Sequence, residues 1–233
     1  MTADPRLEVA FGQPSVRINP GMVRDMFSQD DLQQTVNKVA SLAAEIFTCE
    51  AAVMTVDHGQ ITTGAGTNDF AERAGELQVQ YAEGPSVDAI VERRHSVADD
   101  LRVESRWRFW APHAARLGWR SLVSVSLNDQ NVMGAVNLYS RRPQAFQAKD
   151  LATAEEFAQH AALALAVATQ QGQLRLAVEG RTLIGQAQGV LMQRYQIDAD
   201  QAFKVMRRYS SHNSRKLRSV AEDVVRHRQL PTP

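Results

Sequence analysis

The chain has 233 residues, 44% hydrophobic and 22% charged, with 26 basic and 26 acidic residues and one cysteine. At about 100–200 residues per domain this makes one large domain or two small ones, and the composition excludes a disordered or low-complexity chain. The lone Cys49 excludes an internal disulfide and the multi-cysteine structural zinc sites. The longest apolar stretch, Ala161 to Ala168, is far short of the ~20 residues a bilayer span needs. No basic segment followed by an apolar run opens the chain, so it reads as cytoplasmic, with no membrane partner.

The balanced charge is segregated. From Gln173 onward there are eleven basic and five acidic residues, so the tail carries +6 and the remainder −6. A basic module joined to an acidic one marks a nucleic-acid or membrane partner, or a tail that docks on its own acidic half.

In chain order, Pro5, Pro14 and Pro20 mark a loose lead-in. Leu32, Val36, Val39, Leu42, Ala43 and Ile46 recur at helical spacing over Asp31 to Phe47. Ala51 to Val56, the turn Asp57-His58-Gly59, and Gln60 to Thr63 read as strand, turn and strand. Gly84-Pro85 is a turn before a short helix over Ser86 to Arg93, and His95 to Ala98 is a short strand. Asp99 to His113 is a loop-helix region holding Trp107, Phe109 and Trp110. Ser121 to Leu127 alternates apolar and hydroxyl residues, Asn128 to Asn131 is a turn cluster, and Val132 to Tyr139 returns. So short a link forces an antiparallel pair, because parallel strands need a crossover of a dozen or more residues. That hairpin excludes a parallel α/β fold with an acidic pocket at Asp99-Asp100 and predicts an α+β fold, helices packed on an antiparallel sheet.

From Asp150 the pattern is helical, with Leu151, Ala154, Ala158, Ala161, Leu165 and Ala168 on one stripe and Leu176, Leu183 and Val190 following at intervals of seven. The small residues of the first stripe suit a homodimer seam or cover for the sheet, and both can hold on different faces of the helix. Gly172 and Gly180 argue against one unbroken helix, since each costs about 1 kcal/mol relative to Ala.

The tail reads as three helices. The first carries Leu176, Leu183, Ala187, Val190 and Leu191 to near Tyr195. Asp198 with Gln201 forms a capping-box variant, opening a second helix that buries Ala202, Val205, Met206 and Tyr209. Ser210 to Ser214 breaks that helix, and Asn213 or Ser214 caps a third that buries Leu217, Val220, Ala221 and Val224. Lys204, Arg207, Arg208, Arg215, Lys216 and Arg218 then crowd the end of the second helix and the start of the third, where free N–H groups also favour phosphate.

At these residues the sequence resembles a known family. Ile184-Gly-Gln-Ala-Gln-Gly-Val-Leu-Met192, Ala202-Phe203, Arg207-Arg208-Tyr-Ser210 and Asn213-Ser-Arg-Lys-Leu-Arg-Ser-Val-Ala221 resemble the ANTAR domain, a three-helix RNA-binding module of transcription antitermination. Gln188 departs from it, standing where the family often has Lys; it removes a phosphate contact but can still hydrogen-bond a base. The region from Gln29 to Thr169 resembles a GAF sensor domain, through its strand order, the Glu83-Gly84-Pro85 turn and the closing hairpin. The expected layout is a lead-in over 1–28, a GAF-like domain over 29–169, an ANTAR-like domain over 170–228 joined by a long helix, and a tail over 229–233.

The resemblance implies a dimeric regulator that binds hairpin loops of nascent RNA and keeps a terminator hairpin from forming. RNA sequence is read mostly in unpaired loops, with Arg and Lys on phosphates. Arg207, Arg208, Arg215, Lys216 and Arg218 are assigned to the RNA backbone, with Arg194 and Lys204 beside them, and Gln186, Gln188 and Asn213 to bases. No cofactor and no catalysis are implied, and whether the GAF-like domain takes a small-molecule ligand is left open. A DNA-binding helix-turn-helix regulator is the alternative, disfavoured because Glu222 and Asp223 follow the basic start of the third helix. A GAF-pocket enzyme is the remaining one. Reduction of methionine sulfoxide on such folds generally uses several cysteines, and no Ser, His and Asp group as a triad. His58, His95 and His113 fall in no metal-ligand spacing, Cys49 reads as a structural thiol, and Trp107, Phe109, Trp110 and Trp119 suit a cavity lining or a core equally.

Overall fold

The computed structural model describes residues 17–57, 59–129 and 132–230; His58, the hairpin tip and the prolines at 5 and 14 lie outside them. The chain divides into two compact units, Met1–Thr169 and Gln170–Pro233.

In the first unit, α1 (Pro20–Phe27) begins where Asn19 accepts from the Gly21 and Met22 amides at 2.9 and 3.1 Å. The loose segment expected over 1–20 lies mostly outside the described residues, and the helix that follows it is held by a buried face of Met22 and Met26. In α2 (Leu32–Phe47), Asp31 accepts from the Gln34 amide at 2.8 Å, and the helix ends at Thr48 in a left-handed conformation. The strands are β1 (Glu50–Asp57), β2 (Gln60–Gly66), β3 (Ser96–Ala98), β4 (Ser121–Asp129) and β5 (Val132–Ser140). They form one antiparallel sheet in the order β2-β1-β5-β4-β3. The remaining helices are α3 (Asp69–Tyr81), α4 (Pro85–Glu92) and α5 (Trp110–Arg116), then α6 (Ala148–Tyr195), α7 (Ala199–His212) and α8 (Leu217–His227).

Strand alternation sends side chains to two cores. On one face Val53, Val123, Val125, Val136 and Leu138 meet α1, α2 and the start of α6 through Val39, Ile46, Ala154, Phe157, Ala158, Ala161 and Leu165. The small stripe of α6 thus covers the sheet. Cys49 packs partly buried against this core, and burial pushes its thiol pKa up to about 12.

On the other face Ala52, Leu122 and Tyr139 meet Trp107, Trp110, Trp119 and the inner side of α3. All three indoles are buried and donate N–H bonds, to Asp88, the Ala74 carbonyl and the Phe70 carbonyl. They are core residues, whereas Phe109 is 64% exposed. Behind them lies a buried polar network. Gln78 accepts from the Ser86 amide at 2.7 Å and donates to the Tyr139 hydroxyl at 3.3 Å, and the Ser86 hydroxyl donates to Asn137 at 2.7 Å. Gly84 completes this arrangement: its φ is +140°, and a Cβ there would stand 2.6 Å from the Gln78 side chain. The neighbouring Glu83 accepts from the amides of Phe109 and Trp110, fixing the start of α5.

Gly172 and Gly180 do not interrupt α6, which runs unbroken for 48 residues. Apart from the helix's own backbone, nothing lies within 4 Å of a Cβ added at either glycine, so no packing contact in the described chain requires them. Gly180→Ala is therefore expected to raise unfolding stability by about 0.5–1 kcal/mol, read from denaturant midpoints. A loss instead would mean that something packs against that position in solution. Gln78→Ala is expected to cost about 1–3 kcal/mol, because it strands the buried Ser86 amide without an acceptor. A change within error would show that the network contributes nothing.

Candidate nucleic-acid interface

The second unit is built on a small core. Ala187 and Leu191 of α6, Ala202 and Met206 of α7, and Val220, Ala221 and Val224 of α8 are fully buried together. The α7 start is fixed by the expected capping box: Asp198 accepts from the Gln201 amide at 2.7 Å and Gln201 from the Asp198 amide at 3.1 Å. Val205, expected inside, is 37% exposed, since Ala202, Met206 and the partly buried Tyr209 define the inner side of α7.

The turn into α8 corrects a further expectation. Neither Asn213 nor Ser214 caps α8; its N-cap is Lys216, with no side-chain cap bond. Asn213 instead donates to the Tyr209 carbonyl at 3.0 Å, and the Ser210 hydroxyl donates to the Arg215 carbonyl at 2.5 Å. Both side chains hold the turn, and Lys216 has no acceptor for the N–H groups that open α8. Those groups, with their partial positive charge, stand next to a lysine and two arginines.

The ten candidate residues fall into distinct environments. Lys204, Arg207, Arg208 and Lys216 are exposed and make no ion pair among the described residues. Lys204 lies three and four residues before Arg207 and Arg208, so the three share one side of α7. Arg215 pairs with Asp223 at 2.6 Å, an interaction that holds the Asp223 carboxyl below its ordinary range and raises the guanidinium. Arg218 contacts Glu222 and Glu179, each at 3.4 Å. Arg194 is exposed and donates to Gln229 at 3.2 Å. Gln188 donates to the Ala199 carbonyl at 3.0 Å, tying α6 to α7, while Gln186 is exposed. The Arg218–Glu222 pair is legible in the sequence from its spacing of four; the partners Asp223 and Glu179 are not, because they depend on the turn and on helix packing.

The first unit offers weaker candidates. His95 pairs with Glu155 at 2.7 Å, and His113 donates to the Phe109 carbonyl and meets the Tyr81 hydroxyl at 3.2 Å. No cluster of three metal-ligating side chains occurs among the described residues. A groove of about 330 Å3 is lined by Asp99, Asp100, Glu104 and Arg106. Its Asp100 accepts hydrogen bonds from Arg120, which lower the carboxyl pKa to about 2. No helix among the described residues is long and apolar enough to cross a membrane.

The GAF domain family matches residues 29–166, and the ANTAR domain family matches residues 172–225. No curated protein matches the sequence. Among solved structures, the chain is similar to a free methionine-R-sulfoxide reductase from Neisseria meningitidis, with 15% identity, a TM-score of 0.53, and 65% of this chain and 88% of that one covered. It is also similar to the GAF domain of an Acinetobacter phosphoenolpyruvate-protein phosphotransferase, with 14% identity, a TM-score of 0.52, and 64% and 91% covered. The corresponding GAF domain from Coxiella burnetii gives 16% identity, a TM-score of 0.51, and 66% and 93% covered. At such identities the likeness establishes the fold alone. With the sheet, its two helical layers and the basic three-helix unit, these matches place the chain in the GAF domain family, as a regulator that couples a GAF domain to an ANTAR domain.

Proposed function

We propose that the protein is an RNA-binding transcription antiterminator, in which the ANTAR domain grips hairpin loops of nascent RNA and the GAF domain controls that grip. The observation that carries this reading is the group of unpaired cations, Lys204, Arg207, Arg208 and Lys216, beside the uncapped start of α8. Phosphates account for most of the affinity of such a surface, and unpaired loop bases leave edges for Gln186 to read. Arg194, at the end of α6, is exposed and donates to Gln229 past the far end of α8, so it has at most a peripheral part in that surface. Gln188 and Asn213 act by shaping it, since both amides are committed to backbone carbonyls.

The acting form is a homodimer. Supporting this, residues 170–179 of α6 are all exposed, and they include Leu174, Leu176 and Val178 at 57–63%. Isolated apolar side chains on a surface are ordinary, but Leu174 and Val178, four residues apart, share one exposed face of the helix and suit a partner helix.

The reading assigns no catalysis. Cys49 is the one cysteine, and burial keeps its thiol protonated at neutral pH, against the thiolate that redox or nucleophilic chemistry requires. The GAF domain acts as a sensor or a dimerisation platform, and the protein works in the cytoplasm, where nascent RNA is made.

Salt dependence tests the assignment of the cations. The four unpaired cations are expected to contribute about −2.8 to the log–log slope of loop-RNA affinity against salt, at about −0.7 per contact. Replacing both Arg207 and Arg208 with Ala is expected to flatten the slope by about 1.4. A slope near zero, or one untouched by the double substitution, would place the contact surface elsewhere.

A further inference from the structure

Arg218 sits between two helices' carboxylates in a way that sets it apart from its neighbours. Its Nη2 reaches Glu179 on α6 and its Nε reaches Glu222 on its own helix α8. Nε and Nη2 form one edge of the guanidinium, the planar fork that engages a phosphate through two parallel bonds. The groups that would hold a phosphate are therefore the groups the two glutamates occupy.

The geometry also shows that this occupation is loose. Both contacts are 3.4 Å, longer than the 2.7–2.9 Å of a well-formed charge-assisted bond, and the Arg218 side chain is 41% exposed. Arg215 is the contrast: its bond to Asp223 is 2.6 Å, and the Asp223 side chain is only 25% exposed. A phosphate gains little by competing for Arg215 but can replace two long contacts at Arg218 with two short ones. The two glutamates also differ. Glu222 lies four residues along α8 and travels with Arg218, whereas Glu179 belongs to α6 and reaches Arg218 only when the two helices pack as they do here.

Resting on the RNA-binding reading above, we propose that Glu179 is an internal competitor of the RNA backbone, occupying the phosphate-binding edge of Arg218 in the free protein and leaving it when RNA binds. Any displacement of α6 that withdraws Glu179 then raises affinity without a new protein–RNA contact. Asp223 has the opposite role and is a positioning residue, holding Arg215 in place.

A double-mutant cycle on the full chain tests this, with Glu179→Gln, Arg218→Ala and the two combined. Two probes are titrated, a hairpin-loop RNA and linear polyphosphate. Glu179→Gln is expected to tighten both about two- to five-fold, the range an exposed ion pair supports, and to lose that effect when Arg218 is Ala. No gain with either probe, or an equal gain in the Arg218→Ala background, overturns the proposal, since only long-range charge would then be acting. If the wild-type chain binds no hairpin RNA while the polyphosphate gain still depends on Arg218, the competitor role stands and the RNA reading falls.

Discussion

The side chains of Ala187, Leu191, Ala202, Met206, Val220, Ala221 and Val224 fill one small core, and the interface depends on that packing. Three helices of this size have few apolar residues to bury, so every inward position is used and the cations are left outside. Ala187, Ala202 and Ala221 are buried in this core, and in the packed unit Glu179 of α6 reaches Arg218 of α8. The short turn from His212 to Leu217 puts the end of α7 beside the start of α8 and concentrates the charge there. Exchanging any of these alanines for a larger side chain would act on the interface without touching a cation.

The GAF domain is organised differently. Its sheet is covered on both faces, and one cover is aromatic, with Trp107, Trp110, Trp119 and Tyr139 all buried. Burial raises the Tyr139 phenol above its ordinary range, so it serves as a neutral partner for Gln78. Among the described residues, the buried hydroxyls of Thr63 and Ser124 have no hydrogen-bond partner. Buried hydroxyls without partners are costly, and an ordered water at each would satisfy them.

Much of this architecture could be read from residue pattern. The α2 stripe, the β4–β5 hairpin and the capping box at Asp198 are set by local periodicity and local hydrogen bonds, and they appear as expected. The helix α3 was not legible, because its buried side is Ala71, Ala74, Gly75, Leu77 and Gln78, too weakly apolar to make a stripe. The continuity of α6 is not legible from Gly172 and Gly180, because the cost of two helix glycines is small beside the cooperativity of a long helix anchored in a packed core at each end. Within the interface, the basic residues stood out in the sequence, while the split between unpaired cations and those held by carboxylates did not. Asp223 on α8 meets Arg215 in the α7–α8 turn, and Glu179 on α6 meets Arg218 on α8, so neither pair follows from helical spacing.

The central claim is that this surface takes unpaired nucleotides held in a loop. Equilibrium binding of the full chain to a hairpin-loop RNA, in competition with duplex DNA of equal phosphate content at physiological salt, tests it most directly. The account predicts that the hairpin is retained and that closing its loop into continuous duplex abolishes the preference. Preference for duplex DNA, or no complex with either, would contradict it.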